Sequence, residues 1–288
     1  MSIAIIVTTF NNADSISKCL NSIKLFIKRI ENIDTRIILI DDASIDNTPK
    51  ILLEFSREIS STDLKRYKKN KGVSRSRNYG ISESLDTDYI LFVDGDDEIN
   101  INLADYLNKG KLVNDLYAFD FSIVGNKKEI QQSHLESGII FNDKSISEYL
   151  FSYLIKPNKK SMFVSCWAKM YKTKILKNNV KLRFKEGMKI NEDALFVFSF
   201  IRKCKIIEYV NVLAYKYNDN STLIDRASFA VHSDVTQFFS IISALRQLRF
   251  YLIEKRQNID YVNSKIYHCI AAYTCIYSNR AWVRVSSF

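Results

Sequence analysis

The sequence predicts an α/β protein on a mostly parallel sheet, and three observations carry that prediction. Short β-branched runs, Ile3-Ala-Ile-Ile-Val-Thr-Thr9, Arg36-Ile-Ile-Leu-Ile-Asp41 and Asp88-Tyr-Ile-Leu-Phe-Val-Asp94, have the apolar continuity of strands buried on both faces. The segments between them repeat apolar residues at helical spacing, the alternation of a strand–helix–strand chain. Each run also ends in hydroxyl or carboxylate side chains, where an open parallel sheet binds its ligands.

The elements follow in order. After Thr9, the polar Asn11-Asn12-Ala-Asp14 turn leads to a helix that Asp14 or Ser15 can cap, with Ile16, Leu20, Ile23 and Ile27 on one face. The second strand, 36–41, runs into the acidic loop Asp41-Asp42-Ala-Ser44 and a helix entered through Asp46-Asn47-Thr48-Pro49. Residues 64–68 read as a third short strand, 74–85 as a helix and 88–94 as the next buried strand. Thr8, Thr9, Asp41, Asp42, Asp94, Asp96 and Asp97 therefore stand at strand ends and should meet in one crevice. Beyond residue 100 the pattern becomes an α+β continuation, with strands over 116–124 and 206–217 and helices over 145–155 and 191–202. Two further helices are expected over 228–254 and 259–277. The first carries Phe238, Ile241, Ile242 and Leu245 on one side and Arg246, Arg249 and Arg256 on another. Packing on its own domain is the commoner use of such a helix, and lying on a membrane the rarer.

Composition narrows the function. With 288 residues, 47% hydrophobic, and only 7 Gly and 2 Pro, the chain supports a sizeable core and is neither disordered nor collagenous. No apolar run reaches the ~18 residues of a membrane span, and residues 1–10 lack the features of a signal peptide, so a cytoplasmic protein is expected. Cys19, Cys166, Cys204, Cys269 and Cys275 are scattered without metal-ligand spacing and read as buried free thiols. His134, His232 and His268 are isolated, so catalysis must use carboxylates. Residues 1–100 hold 14 basic and 16 acidic side chains and residues 101–288 hold 28 and 16, which puts the whole positive excess downstream. It is densest over 156–189, where eleven Lys and Arg meet the single acid Glu186. An anionic partner and a solvated surface both account for this run. Nucleic acid is not expected, because no helix-turn-helix, zinc or RNA-binding signature accompanies the charge.

Asp94-Gly-Asp-Asp97 is the sharpest chemical signal. Carboxylates two apart at a strand end, with a Gly permitting close approach, suit a divalent cation shared with phosphate oxygens; an ordinary turn accounts for the tetrapeptide equally well. An EF-hand is excluded because Ile99 stands where that loop needs Gly, and neither G-x-x-x-x-G-K-[ST] nor G-x-G-x-x-G occurs. Glu192 and Asp193 open a helix, where acids complement the dipole, and a carboxylate there could equally serve as general base.

Several segments together resemble the family 2 glycosyltransferases of the GT-A fold, particularly bacterial enzymes of capsule, lipopolysaccharide or exopolysaccharide synthesis. They are Ile6-Val-Thr-Thr-Phe-Asn11, Ile40-Asp-Asp-Ala-Ser-Ile-Asp-Asn-Thr48, Asn70-Lys-Gly-Val-Ser-Arg-Ser-Arg-Asn-Tyr-Gly80, Tyr89-Ile-Leu-Phe-Val-Asp-Gly-Asp-Asp97, Trp167-Ala-Lys-Met-Tyr171, Glu192-Asp193 and Tyr215-Lys-Tyr-Asn-Asp-Asn-Ser-Thr222. Their order and spacing cover roughly residues 3–225. Thr9 replaces the family's usual Pro, and Ala43 its usual Gly, changes of loop geometry rather than of functional groups.

The resemblance implies a GT-A, Rossmann-like sheet whose residues 1–100 bind a nucleotide sugar, whose residues 101–225 supply acceptor contacts and the base, and whose residues 226–288 form a C-terminal helical region. Thr8, Thr9, Asn11 and the Asp41-Asp42 pair would hold the nucleotide, usually uridine, with the first acid on the base. Arg77 would approach the nucleotide or its diphosphate, and Asp94 and Asp96 would hold Mn2+ or Mg2+. Asp193 would be the catalytic base, with Glu192 orienting it or the acceptor; Trp167 would offer the acceptor an aromatic platform, a place in the core accounting for it at least as well; and Lys169, with Lys172 and Lys216, would meet acceptor phosphate if that acceptor is a lipid diphosphate. The implied activity is inverting, metal-dependent transfer from a nucleotide sugar, UDP favoured, to a surface glycan or its lipid-linked precursor. A peripheral contact at the inner face of the plasma membrane and a homo-oligomer through the C-terminal helices are compatible with it. A noncatalytic nucleotide-sugar or glycan-binding module is the alternative, and the joint presence of the D-x-D element and Asp193 favours the enzyme. A nucleotidyltransferase ranks lower, because Thr8-Thr-Phe-Asn-Asn12 lacks the Gly-rich phosphate loop.

Overall fold

The computed structural model describes residues 1–110, 112–125, 128–132, 139–141, 163–188 and 192–219. Its first half alternates strand and helix: β1 (Ser2–Thr9), α1 (Ile16–Arg29), β2 (Asp34–Asp41), α2 (Thr48–Glu58), β3 (Thr62–Arg66), α3 (Val73–Glu83) and β4 (Tyr89–Asp94). Then come β5 (Glu98–Ile99), α4 (Asn102–Leu107), β6 (Leu116–Gly125), β7 (Lys128–Gln132), β8 (Ile139–Phe141), β9 (Lys169–Lys172), α5 (Thr173–Asn178), α6 (Glu192–Ile201) and β10 (Ile207–Asn218).

The ten strands of the described residues join one sheet in the order β3-β2-β1-β4-β9-β6-β10-β5, with β7 on β6 and β8 on β10. The β1–β2, β1–β4 and β2–β3 pairs are parallel, as alternation with helices requires. β9 runs antiparallel between β4 and β6, with Leu91 opposite Met170 and Ala118 opposite Lys169. β10 lies parallel to β6. The sheet is therefore mixed, though its first four strands form the expected parallel block.

The central strands alternate between two cores. Ile3, Ile5, Val7, Leu39 and Leu91 pack with Ile16, Leu20, Ile23 and Phe26 of α1, while Ala4, Ile6, Ile38 and Phe92 pack with Ile81 of α3 and Phe196 of α6. Burial on both faces explains why these strands read as continuous apolar runs. Ser15 does occupy the N-cap of α1 but makes no side-chain cap; its hydroxyl turns back to the Asn12 carbonyl at 3.3 Å. At α2 the Asp46 carboxylate accepts from the Thr48 N–H at 2.9 Å.

α3 lies close on β1. A Cβ on Gly80 would fall 2.4 Å from Ile6 Cγ2, so only glycine lets this helix approach so near. Gly80→Ala should therefore destabilise by about 1–3 kcal/mol despite alanine's better helix propensity of roughly 1 kcal/mol. Urea unfolding should show a lower midpoint at unchanged slope; an unchanged or higher midpoint would mean that α3 can shift.

β3 begins two residues before the expected strand, and β5, β7, β8, β9, α4 and α5 were not foreseen. The helices expected over 145–155, 228–254 and 259–277, with the region 226–288 and its proposed oligomer contact, fall outside the described residues. Cys19, Cys166 and Cys204 are buried free thiols. No helix among the described residues is long and apolar enough to cross a membrane.

Candidate active site

The carboxyl ends of β1, β2 and β4 enclose a crevice of about 380 Å³. Thr8, Thr9, Phe10 and Asn12 line it from the end of β1, Asp42 from β2, Asn70, Gly72, Ser76 and Arg77 from the start of α3, and Asp94, Gly95 and Asp96 from β4. A larger hollow of about 780 Å³ opens at the opposite end of the sheet, beside Met1, Asp88 and Lys177. Because open parallel sheets bind ligands at strand carboxyl ends, the smaller crevice is the candidate site.

One buried guanidinium organises its acids. Arg77, 4% exposed, donates from Nη2 to Asp94 Oδ1 at 2.8 Å, and from Nη1 to Asp193 Oδ1 at 2.5 Å and Glu192 Oε1 at 3.4 Å. Its Cζ lies 5.2 Å from the Phe184 ring centroid. Burial opposes the charge, but Asp193 and Asp94 outweigh it and hold the guanidinium above its ordinary range. The second oxygen of Asp193 accepts from the Cys166 N–H at 3.0 Å, which fixes the carboxylate in plane and leaves its remaining lone pairs for another donor. Burial and the neighbouring Asp193 push the Glu192 carboxyl up to about 7, against the pull of Arg77.

The four residues of Asp94-Gly-Asp-Asp97 divide their work. Gly95 N–H donates to the Thr8 carbonyl at 2.9 Å, and a Cβ there would meet Thr9 Cβ at 2.7 Å, so the turn needs glycine to close on β1. Asp97, 1% exposed, faces away from the crevice. It accepts from the Tyr215 hydroxyl and the Asn218 N–H, both at 2.8 Å, while the Asn218 amide also donates to the Asp96 carbonyl at 2.7 Å. Burial, then Asp94 and Asp96, push the Asp97 carboxyl up to about 8. Asp97 is thus a strut between β4 and β10. Asp96 lines the crevice, and its side chain makes no ion pair among the described residues. Burial and then Asp94 raise its carboxyl above the usual range.

Other expected site residues take different places. Asp41 is fully buried outside the crevice lining, accepting from the Ser44 N–H at 3.0 Å and pairing with Arg66 Nε at 3.0 Å. The second acid, Asp42, reaches the crevice wall, where its two oxygens accept from the Lys71 and Gly72 N–H groups, each at 2.7 Å. Asn11, at φ 53°, ties the first two strand-end loops: its N–H donates to Ser44 Oγ at 2.8 Å and its side chain accepts from the Ile45 N–H at 2.9 Å. Trp167 stacks on Tyr215 and Tyr217 at centroid distances of 4.9 and 5.5 Å, which sets an aromatic plate one contact from Asp97. Lys169 corrects the sequence expectation. At 2% exposure it cannot present its ammonium to an outside acceptor; it donates to the Trp167 carbonyl at 3.2 Å, and burial lowers it to about 8. Lys172 is likewise engaged, donating to the Val113 carbonyl at 2.7 Å.

Sequence reasoning missed Ser76, Tyr215 and Asn218 as site residues. Ser76 Oγ is buried at the crevice wall with no hydrogen-bond partner among the described residues, a group that a polar ligand would satisfy. All three stand inside segments already singled out, but nothing local reveals that Tyr215 and Asn218 reach Asp97 across more than a hundred positions.

A sheet of this order, with an acid-lined crevice at its parallel strand ends and an added half that returns a second acid pair to it, is the architecture of GT-A-like proteins. The chain belongs to glycosyl transferase family 2, whose family model matches residues 4–179. It is 26% identical over 207 residues to the poly(ribitol-phosphate) beta-N-acetylglucosaminyltransferase TarP of Staphylococcus aureus, covering 70% of this chain and 58% of that protein. It is also 26% identical over 221 residues to a cholesterol galactosyltransferase of Borreliella burgdorferi, covering 74% and 59%. The chain thus spans under three fifths of the length of these relatives. In structure it is similar to S. aureus TarS 1-349 in complex with UDP-GlcNAc, at a TM-score of 0.66 and 20% identity, covering 86% of this chain and 66% of that one. The mannosyltransferase PcManGT of Pyrobaculum calidifontis, in complex with GDP-Man and Mn2+, aligns at a TM-score of 0.56 and 10% identity, covering 97% and 74%. At these identities the structures establish the GT-A-like fold.

Proposed function

We propose that the chain transfers a sugar from a nucleotide sugar, with UDP the favoured nucleotide, to a hydroxyl of a bacterial surface glycan or its lipid-linked precursor, inverting the anomeric carbon. The observation that carries this reading is the Arg77 fork, which ties Asp94 of the strand-end acid pair to Asp193 at the mouth of α6. A binding module has no need to hold a second, separately positioned carboxylate beside its donor crevice. TarP's name as a poly(ribitol-phosphate) N-acetylglucosaminyltransferase and the UDP-GlcNAc in the TarS complex support both the donor class and a surface-polymer acceptor. The site of action is the cytoplasmic side of the membrane, where nucleotide sugars are made.

Asp94 and Asp96 fit a divalent ion of the Mg2+ or Mn2+ kind: two hard carboxylate donors at one end of the crevice, one of them without an ion pair among the described residues. When bound, the chemistry such an ion supplies is neutralisation of charge on the departing diphosphate. The chain's own groups do the rest. Ser76 and Asp42 line the nucleotide's path, Arg77 adds positive charge beside the diphosphate, and Asp193 accepts the proton of the attacking hydroxyl on the face opposite the leaving group. Glu192 holds Asp193 in register through their shared guanidinium.

A panel of nucleotide sugars with manganese, scored by release of the nucleoside diphosphate and by thermal shift, tests donor and metal together. Asp96→Ala should lower metal-stimulated UDP affinity by at least about tenfold, the loss of one charge-assisted contact. An undiminished metal response in that variant would move the ion elsewhere. UDP binding without turnover of any donor, across a range of acceptors, would favour the noncatalytic module.

A further inference from the structure

The turn from Cys166 to Ala168 lies outside the crevice lining, yet its Cys166 N–H holds one oxygen of Asp193 at 3.0 Å. Ala168 stands at φ 53°, a left-handed conformation that costs free energy in any residue with a Cβ, so something must hold the turn there. Each of its three carbonyls has a donor of its own. The Tyr171 hydroxyl donates to the Cys166 carbonyl at 2.9 Å, Lys169 Nζ to the Trp167 carbonyl at 3.2 Å, and the Phe119 N–H to the Ala168 carbonyl at 3.0 Å. With Trp167 also stacked on Tyr215 and Tyr217, the turn is fixed from β6, β9 and β10 at once.

Two of these donors are side chains. Lys169 and Tyr171 stand two apart on β9 and so share a face, the one on which the Tyr171 ring meets Phe196 and Phe200 of α6 at centroid distances of 5.6 and 4.9 Å. They are buried at 2% and 0% exposure. A lysine is a costly residue to enclose there, because a methionine would fill the same space without desolvating an ammonium. Burial lowers the Lys169 amine, while Cys166 and Asp193 resist that fall, so its charge lies within the field of the Asp193 carboxylate.

We propose that Lys169 and Tyr171 are positioning residues of the transfer reaction: by holding the carbonyls of the 166–168 turn they aim the Cys166 N–H, and through it they orient Asp193 toward the incoming hydroxyl. The Arg77 fork grips one oxygen of Asp193 from α3, and this turn grips the other. A carboxylate held at one oxygen alone can rotate, whereas a general base must point at the proton it takes. The inference rests on reading Asp193 as that base. It gives the enclosed Lys169 a use that contact with an acceptor does not.

The test joins a spectroscopic signature to kinetics. The full chain labelled with 15N-cysteine gives one amide signal for each of its five cysteines, and Cys166→Ala identifies the signal of interest. Asp193→Ala marks where that signal falls when the N–H has lost its carboxylate. Tyr171→Phe and Lys169→Met should each move it toward that position. With the donor and acceptor found by the nucleotide-sugar panel, both variants should lower kcat by about tenfold and keep the donor KM within about twofold. Tyr89→Phe is the control: it strips another buried tyrosine of its hydroxyl, which donates to the Asn114 carbonyl at 2.7 Å at the far end of β4. It should lower thermal stability comparably and leave both the Cys166 signal and kcat unchanged. Equal losses of kcat in Tyr89→Phe and Tyr171→Phe would reduce the effect to stability and overturn the positioning role. So would a Cys166 signal that stays in place in both β9 variants, a signal that moves with kcat unchanged, or a loss that falls on the donor KM. A parent chain that turns over no donor sinks the reading of Asp193 as base, and this role in catalysis with it; the Cys166 signal distinguishes that outcome, since it still moves in the variants.

Discussion

Arg77→Met should destabilise the protein by about 2–4 kcal/mol, because it removes the one buried cation that three half-buried carboxyl groups share. Asp94, Asp193 and Glu192 come from β4 and the first turn of α6, and their carboxylates lie within 3.4 Å of the Arg77 nitrogens. Without the cation they repel one another in a pocket too enclosed for full hydration. Arg77→Lys should recover part of the loss, since a single ammonium restores the charge but cannot span both sides of the fork. Urea unfolding of the three proteins measures the order directly. A loss under about 1 kcal/mol in Arg77→Met would mean that the acids separate or protonate at little cost, and that the fork does not hold the site together.

Asp193→Asn should slow transfer by about 10²–10⁴, the usual contribution of a positioned general base. The side chain keeps its shape, but its single oxygen can accept from the Cys166 N–H or from Arg77 Nη1 and not from both, so one of these two contacts is lost and urea unfolding of the variant is measured beside turnover. UDP affinity should stay within about twofold, because Asp193 stands across Arg77 from the nucleotide's side of the crevice. The diagnostic pattern is a collapse of kcat with KM for the donor unchanged. Full turnover in this variant would remove Asp193 as the base and leave Glu192 as the remaining acid of that pair.

The fold of the first hundred residues was legible because its signals are local. Runs such as Ile3 to Val7 are apolar on both faces, and a strand of that kind has one place to go, the middle of a parallel sheet covered by helices. β9 was not legible for the opposite reason. Lys169-Met-Tyr-Lys172 has lysines at both ends and only four residues, and it is a strand because β4 and β6 both offer it an open edge. The site divides in the same way. The acids were found from their own motifs, yet the direction each faces depends on distant partners: Asp97 turns to Tyr215 and Asn218, Asp41 to Arg66, and Arg77 to acids seventeen and more than a hundred positions away. Lys169 misled for a related reason, since a lysine beside an aromatic reads as surface until both sheet neighbours are known.

The reversed strand β9 has one more implication. It seals the flank of β4 with main chain drawn from residues 169–172, so the donor-side segment borrows its closing edge from the far side of the sequence. A fragment cut at residue 100 would expose that raw edge, along with an Asp97 stripped of both its partners, and would be prone to stick to its own copies. Residues 1–100 and the later segment that carries β9 therefore depend on one another for folding, and neither can be exchanged without carrying this shared strand along.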